Sequence, residues 1–289
     1  MNLSNLNCPV CATANQRNAD QCISCGSSLG FVNVNLFSDA YFQDGLTQRY
    51  QAESAGCTAK GLGDVVLYFE TMLTDKGRAL INMSSDLLFK LVNENQDYLP
   101  YQMAVEQGKR DKSAFANDRD RCLVESAFYG IDGGKIVYAA LSLDEKGLTT
   151  YGDVVAILRT PTIEKRTTVF ETNTYFLFDR LVDAGWRVRK TIPAGHAGTW
   201  NERAKVAVIK HGMQVEPHFQ QDEFATLILK SGADRSDDEF IELHIMNKVT
   251  AANFEKIAFQ KKPSSPFKAI QAKIFTAKTK ALGIAVEGL

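Results

Sequence analysis

The strongest constraint on this chain is a set of four cysteines near its beginning, arranged as two C-x-x-C pairs separated by ten residues. The four are Cys8, Cys11, Cys22 and Cys25. Each pair forms a tight turn that directs two thiolates at one point, and two such turns complete the tetrahedral ligand set of a structural zinc site. A segment of about 25 residues cannot bury a useful core unaided, so the metal would supply its folding energy. We therefore predict a zinc ribbon over residues 1–30, with Zn²⁺ bound by these thiolates.

The sequence around the ribbon favours a reducing environment. The opening residues MNLSNLN lack the basic and apolar blocks of a signal peptide, and no apolar run approaches the roughly 18 residues that span a bilayer. We expect a cytoplasmic protein with no membrane partner, in which thiols stay reduced and bind metal. The other two cysteines, Cys57 and Cys122, stand apart from the cluster and are expected to be buried thiols.

The ribbon carries little charge with which to bind nucleic acid. Arg17 is its only basic residue, Asp20 opposes it, and no aromatic residues are interleaved. Docking of a partner protein and capping of the neighbouring domain remain the alternatives for its role.

Residues 31–289 are interpreted as one α+β domain. Helical spacing or helix caps occur in LGDVVLYFETML (62–73), SSDLLFKLVNEN (84–95), DRDRCLVESAFYG (118–130), NTYFLFDRLVDAG (173–185) and PHFQQDEFATLIL (217–229). Strand-like segments are RALINM (78–83), KIVYAALSL (135–143), GDVVAILR (152–159), RTTVFE (166–171), KVAVIKH (205–211) and FIELHIM (240–246). Because helices cluster early and strands late, a mixed or antiparallel sheet is expected rather than a doubly wound one.

Several common catalytic and cofactor motifs are absent from the sequence. Neither G-x-G-x-x-G nor G-x-x-x-x-G-K-[ST] occurs, which argues against Rossmann and P-loop folds. Neither a G-x-S-x-G elbow nor an H-E-x-x-H helix is present. The histidines include an H-x6-H pair, His211 and His218. A second metal site there is the alternative to ordinary surface or hydrogen-bonded histidines.

The strand EFIELHIM brings a carboxylate beside an imidazole. With a period of two, Glu242 and His244 share one face with two apolar residues, while Ile241, Leu243 and Ile245 form the opposite, core-facing side. A half-exposed strand with polar side chains in water explains this pattern equally well. RALINM has the same construction, with Arg78 and Asn82 on one side.

Six segments, taken together and in order, resemble the blocks of a bacterial ADP-ribosyltransferase-like family. They are GRALINM, YLPYQMAVEQG, DRDRCLVESAFYG, KIVYAALSLDEKGLTTYGDVVAILR, RTTVFETNTYF and FIELHIMNKVTAANFEKIAF, and they cover about residues 77–260. The family blocks read approximately R-I-T-L-H-F, Q-F-E-T-G, R-D-x-W-E, Y-G-A-L-N-L, F-G-S, R-T-T-F and Y-I-E-A-Q. The resemblance implies a split, twisted antiparallel sheet with flanking helices and NAD, as co-substrate, in a central cleft. It also links the chain to phage-defence toxins that ADP-ribosylate RNA.

The resemblance also implies roles for individual residues. Glu242 matches the glutamate of Y-I-E-A-Q and is the implied catalytic residue, while Arg78 matches the first-strand arginine, which would hold the pyrophosphate. Asn82 stands where the family usually has histidine, and His244 where it has glutamine. The other residues expected to line the NAD cleft are Gln102, Tyr138, Tyr151, Thr167 and Thr168. The rival carboxylates are Glu171 and Glu239.

Charge is segregated along the chain. From Lys248 to the end there are eight lysines and two glutamates, a net charge of +6, whereas the whole chain has −1. SPFKAIQAKIFTAKTKAL is expected to form a helix that carries Lys268, Lys273, Lys278 and Lys280. Such a helix fits an electrostatic grip on a phosphate backbone. A docked helix with a solvated lysine face is the alternative, and an acidic partner such as an antitoxin would also fit.

The resemblance implies an NAD-dependent ADP-ribosyltransferase, a toxin, and together with the basic C-terminus it favours nucleic acid, RNA above all, as the acceptor. Transfer to a protein side chain is the first alternative. A catalytically inactive adaptor, in which ribbon and fold only bind, is the second.

Overall fold

The computed structural model of the chain describes residues 5–16, 19–109, 111, 118–179, 193–260 and 269–288. The α-helices in them are α1 Val32–Phe37, α2 Ala40–Ala59, α3 Gly63–Lys76, α4 Ser85–Asn93, α5 Tyr101–Glu106, α6 Asp118–Tyr129, α7 Thr160–Ile163, α8 Thr174–Asp179, α9 Arg203–His211, α10 Gln221–Ile228 and α11 Ala269–Ala281. The strands are β1 Leu6–Asn7, β2 Ala14–Asn15, β3 Arg78–Met83, β4 Ile136–Ser142, β5 Val154–Leu158, β6 Thr167–Phe170, β7 Ala197–Thr199, β8 Leu229–Lys230, β9 Glu239–Phe240, β10 Glu242–Met246, β11 Phe254–Phe259 and β12 Ala285–Glu287. Short 3-10 helices lie at Gly130–Lys135, Glu164–Arg166, Trp200–Glu202, Gly212–Gln214 and Ala251–Asn253.

An eight-stranded sheet with the order β12-β11-β5-β3-β4-β10-β6-β7 lies at the centre. Neighbouring strands are antiparallel except at one edge, where β11 and β12 run parallel. The predicted α+β class with a mixed sheet is therefore confirmed. In the strands that the structure describes, the sheet is continuous and lacks the division into two halves that the resemblance implied.

The register of β10 places Glu242 and His244 on the same face as residues of β4 and β3. Glu242 pairs with Ala140 on β4, and Ala140 pairs in turn with Leu80 on β3. One step along, His244 pairs with Tyr138. Because paired residues on neighbouring strands project to the same face, these side chains share one side of the sheet.

Both faces of β10 are covered, so the half-exposed interpretation of this strand is wrong. All of Glu242–Met246 is buried. Met246 lies in an apolar cluster with residues of α1, α6 and α8, such as Phe37, Phe128 and Leu177. The opposite face, with Leu243 and Ile245, belongs to the main core together with residues of α3 and α9. A polar residue on this strand must therefore find its hydrogen bonds inside the protein.

Local sequence signals predict α3, β3 and α4 correctly. The segment predicted as a helix from its apolar spacing becomes α3, and RALINM becomes β3 with the same bounds. The predicted cap of α4 is present, because the Ser84 hydroxyl accepts a hydrogen bond from the Leu87 N–H at 3.3 Å. Helix α10 begins at Gln221, four residues later than expected, where Gln220 and Glu223 form a capping box.

The segment KVAVIKH is a helix, α9, and its prediction as a strand is wrong. A capping box formed by Thr199 and Glu202 begins a helical turn just before it, and α9 continues that turn. Nearly every residue of Arg203–His211 is buried, so the apolar positions show no single helical stripe. The alternating valines then imitate a strand.

The two remaining predicted helices are described in part. α8 ends at Asp179, and residues 180–185 of that prediction lie outside the described residues. α11 begins at Ala269, so Lys261, Lys262 and Lys268 lie outside them as well. α11 packs against α4 through the buried Phe275, whose ring meets the Phe89 ring edge-on at 5.2 Å.

The cysteine-containing region before α1, which the sequence analysis predicts to be a zinc ribbon, has its own small apolar cluster. It contains Cys8, Cys22 and Leu29, with Leu6 and Ala19 packed against it. The strands β1 and β2 pair with each other and not with the central sheet. Of the helices that the structure describes, none is long and apolar enough to cross a membrane.

Candidate functional site

A cavity of about 350 Å³ opens over the central strands on the face that carries Glu242. Residues of β3, β4 and β10 form part of its wall, the start of α4 and of α8 form another part, and loop residues complete it. Of the residues predicted from the sequence, Asn82, Tyr138, Tyr151 and Glu242 line this cavity.

Glu242 is held firmly at one of its two carboxylate oxygens. Oε1 accepts hydrogen bonds from the Thr174 N–H at 3.0 Å, from the Thr174 hydroxyl at 2.6 Å and from His244 Nε2 at 2.9 Å. Within the described residues no hydrogen bond reaches Oε2. The carboxylate is thus fixed in orientation by its first oxygen, while its second oxygen is left for a molecule in the cavity.

His244 acts behind Glu242 and does not line the cavity. It is fully buried, and its Nδ1 lies 2.7 Å from the Tyr129 hydroxyl. Burial raises the pKa of Tyr129 well above its usual value, so that hydroxyl stays protonated and donates to Nδ1. Nε2 then carries the ring proton and donates to Glu242. His244 therefore orients the carboxylate of Glu242.

Asn82 lines the cavity and carries a donor without a partner. Its Oδ1 accepts a hydrogen bond from the Leu148 N–H at 2.9 Å. Its Nδ2 is buried and has no hydrogen-bond partner among the residues that the structure describes. A buried polar group without a partner costs free energy, which a ligand acceptor placed in the cavity would recover.

The same cavity is lined by two arginines for which the sequence predicted no role. The Arg121 guanidinium lies over the ring of Tyr138, 4.8 Å from its centroid. The Arg235 guanidinium lies 4.6 Å from the centroid of the Tyr151 ring and donates through Nε to the Thr150 carbonyl. Stacking on an aromatic ring holds each guanidinium at the wall of the cavity, and the planar group is suited to bind an anion. No sequence motif marks either residue, although Arg121 falls in the segment DRDRCLVESAFYG.

Arg78, implied as the pyrophosphate ligand, lies elsewhere. It lines a separate cavity of about 290 Å³ together with Lys76, Asp144, Glu145 and Gln221. The other three predicted cleft residues also stay out of the main cavity. Thr167 and Thr168 are fully buried within β6, and Gln102 reaches the cavity wall only through Glu125.

Glu125 is a buried carboxylate that sequence reasoning missed. Its Oε1 accepts the Tyr138 hydroxyl at 3.1 Å, and its Oε2 accepts the Gln102 amide at 2.8 Å. Burial raises the pKa of this carboxyl to about 7, although the positive charge of Arg121 opposes the shift. The apolar pattern of α6 gives no sign of it, because its surroundings come from α5 and β4.

The rival carboxylates are placed away from the cavity. Glu171 binds Arg49 at 2.7 Å and His196 at 2.5 Å in a partly buried ion pair. Burial alone would raise the pKa of Glu171, but the bond with His196 and the charge of Arg49 lower it. Glu239 is exposed on β9. Glu171 is neutralised by its partners and Glu239 faces solvent, so neither carboxylate requires a ligand.

The four N-terminal cysteines form a cluster that could hold a metal ion. Their Sγ atoms all lie within 4.8 Å of one another, with 3.6 Å between Cys8 and Cys25 and 3.5 Å between Cys11 and Cys22. Four thiolates at about 2.3 Å from a tetrahedral zinc ion stand about 3.8 Å apart, so the arrangement fits the ion. The N–H groups of Val10 and Ser24 lie 3.4 Å from Cys8 and Cys22 Sγ, where they stabilise thiolate charge. The cluster is suited to bind a metal such as zinc.

No family model matches the sequence, and a search of curated proteins finds no match.

Proposed function

We propose that the cavity binds NAD and that the protein is an ADP-ribosyltransferase in which Glu242 is the catalytic residue. The observation that carries this proposal is the carboxylate itself, anchored by three hydrogen bonds at Oε1 and open to the cavity at Oε2. A fixed carboxylate beside an aromatic and cationic cavity is suited to a reaction in which positive charge develops on a sugar.

The residues around the cavity fit the parts of a dinucleotide. Arg121 and Arg235 supply two guanidinium groups for the pyrophosphate. The unpaired Nδ2 of Asn82 supplies a donor for a ribose or amide oxygen. The rings of Tyr98 and Tyr151 offer flat apolar surfaces beside these polar groups.

The proposed chemistry is substitution at the anomeric carbon of the nicotinamide-linked ribose. The C1′–N bond breaks with its electron pair, and nicotinamide leaves as a neutral molecule. A lone pair of the acceptor forms the new bond to C1′, and the acceptor loses a proton. Glu242 stabilises the positive charge on the ribose and hydrogen-bonds a ribose hydroxyl through its second oxygen.

We propose nucleic acid, with RNA favoured, as the acceptor, which would suit a toxin of phage defence or of a toxin–antitoxin pair. Support comes from the exposed Lys273 and Lys280 on α11. Other C-terminal lysines are engaged within the protein. Lys256 pairs with Glu145 and Glu287, and Lys278 donates to the Asn93 carbonyl.

A protein side chain is the second candidate acceptor. The contacts of Lys256 and Lys278 within the protein favour this candidate. Lysines that are bound inside the protein leave a smaller positive surface for a phosphate backbone. An inactive adaptor is the third candidate, and the anchored Glu242 argues against it.

The acceptor is tested by incubating the protein with labelled NAD and separate preparations of RNA, DNA and protein. Label should enter RNA, and the apparent affinity for RNA should fall steeply as salt rises, with a log–log slope of about −0.7 per phosphate contact. Lys273→Ala with Lys280→Ala should flatten that slope by about 1.4 if both contact phosphate. Lys205→Ala, on α9, is the matched control and should leave the slope unchanged. Label in protein alone, with the slope of the double variant unchanged, would favour the second candidate.

A separate prediction concerns the ligand of the pyrophosphate. Arg235→Ala should weaken NAD binding by about ten-fold to a hundred-fold, because a charge-assisted hydrogen bond contributes about 1.5–3 kcal/mol. Arg78→Ala should change it by less than about three-fold, since Arg78 lines a different cavity. Titration calorimetry with NAD measures both. If Arg78→Ala weakens NAD binding more than Arg235→Ala does, Arg78 and not Arg235 binds the pyrophosphate.

A further inference from the structure

We propose that Tyr138 and Glu125 form a proton relay that takes the proton from the acceptor during ADP-ribosyl transfer. This inference rests on the proposed function, since it assigns the base of that reaction. Tyr138 is the catalytic residue of the pair, because it lines the cavity, and Glu125 is a positioning residue that acts through it.

The geometry supplies a path from the cavity to a buried carboxylate. The Tyr138 hydroxyl donates to Glu125 Oε1 at 3.1 Å, so its oxygen lone pairs remain able to accept a proton from a molecule in the cavity. Gln102 donates to Glu125 Oε2 at 2.8 Å and fixes the carboxylate plane. Arg121 lies over the Tyr138 ring and favours negative charge on the pair.

The surroundings of Glu125 give it two accessible protonation states near neutral pH. It is 1% exposed, and its burial raises its pKa to about 7. The facing charged and titratable groups are Arg121, Tyr129, Tyr138, Glu242 and, on the adjoining 3-10 helix, Asp132 paired with Lys135 at 2.6 Å. The positive charge of Arg121 lowers the pKa of Glu125, and the negative charge of Glu242 raises it. A group that titrates near the working pH is well matched to proton transfer.

The relay balances the transfer step. The acceptor gives its proton to the Tyr138 oxygen as its lone pair bonds to C1′, and Tyr138 gives its own proton to Glu125 Oε1. Burial raises the pKa of Tyr138 well above its usual value, which makes a tyrosinate intermediate unfavourable. The two proton transfers therefore occur together. Glu242, held in place by Thr174 and His244, faces the ribose and takes no part in this proton transfer. The two carboxylates thus divide the work of base and charge stabiliser.

The pH dependence of the transfer rate at saturating NAD tests the relay. The wild-type rate should fall by about ten-fold per pH unit below pH 7, where Glu125 is protonated and cannot accept. Glu125→Gln should abolish this inflection and lower the rate at pH 8 by about 10²-fold. Tyr138→Phe should also abolish the inflection and lower the rate at pH 8 by about 10²-fold. Its KM for NAD should change by less than about three-fold.

Glu70→Gln is the matched control, because Glu70 accepts the Tyr50 hydroxyl at 2.9 Å in an analogous pair outside the cavity. It should keep the wild-type rate and inflection. A flat wild-type profile, or an inflection that persists in Glu125→Gln and in Tyr138→Phe, refutes the relay and leaves the transferase standing. If Glu125→Gln fails to fold, the pH profiles of the wild type and of Tyr138→Phe still test the relay. A wild-type protein that neither binds nor cleaves NAD refutes the proposed function, and the relay with it.

Discussion

Glu242→Gln should lower the rate of ADP-ribosyl transfer by about 10²-fold to 10³-fold, equivalent to about 3–4 kcal/mol of transition-state stabilisation. The three donors that converge on Oε1 should fix the amide oxygen in the same place, which directs the amide nitrogen to the position of Oε2. A donor then faces the ribose where positive charge develops. Single-turnover rates with saturating NAD measure the loss.

Binding of NAD separates this effect from a general disruption of the site. The dissociation constant of Glu242→Gln should stay within about three-fold of the wild type, because the carboxylate acts as charge develops in the transition state. Glu239→Gln is the control on an exposed carboxylate and should be close to wild type. The assignment fails if Glu242→Gln transfers at the full rate while Glu171→Gln is inactive.

The parts of the fold that could be predicted are those set by local signals. β3 and α4 follow from alternation and from the Ser84 cap, which act within a few residues. α9 could not be predicted in the same way, since burial on nearly all sides removes the amphipathic stripe that marks a helix. The long helix α2 was not predicted, and only three of its residues are buried, which leaves little apolar pattern to find.

Of the four predicted residues that line the cavity, Asn82, Tyr138 and Glu242 lie on strands, and Tyr151 lies in a loop. Alternation placed Glu242 and His244 on one face, and the structure shows them joined by a hydrogen bond of 2.9 Å. Their burial could not be foreseen, because helices distant in sequence cover that face. Arg121 and Arg235 come from a helix and a loop, and tertiary packing alone brings them to the cavity. A residue supplied by a distant element carries no periodic signal of its role.

Removal of the metal from the cysteine cluster should unfold residues 5–30 and leave the central sheet folded. Zinc bound to four thiolates contributes about 10–16 kcal/mol to the folding of small zinc domains, far more than the few apolar residues of the ribbon can replace. We expect one zinc per chain by metal analysis. After treatment with a chelator under reducing conditions, amide exchange should become fast in β1 and β2 and remain slow in β3, β4 and β10, because the ribbon cluster contains no residue of the main core.

Substitution of single cysteines locates the ligands. Cys11→Ser should abolish stoichiometric zinc binding, because a neutral hydroxyl replaces one of the four thiolates. Cys122→Ser is the matched control: Cys122 lies outside the cluster, on α6, so zinc content and ribbon protection should be those of the wild type.

If the ribbon instead caps the domain, loss of zinc should also lower the thermal stability of the sheet, whereas a docking module should leave it unchanged. Purified protein with no zinc, or with these cysteines joined as disulfides, would show that the cluster has another purpose.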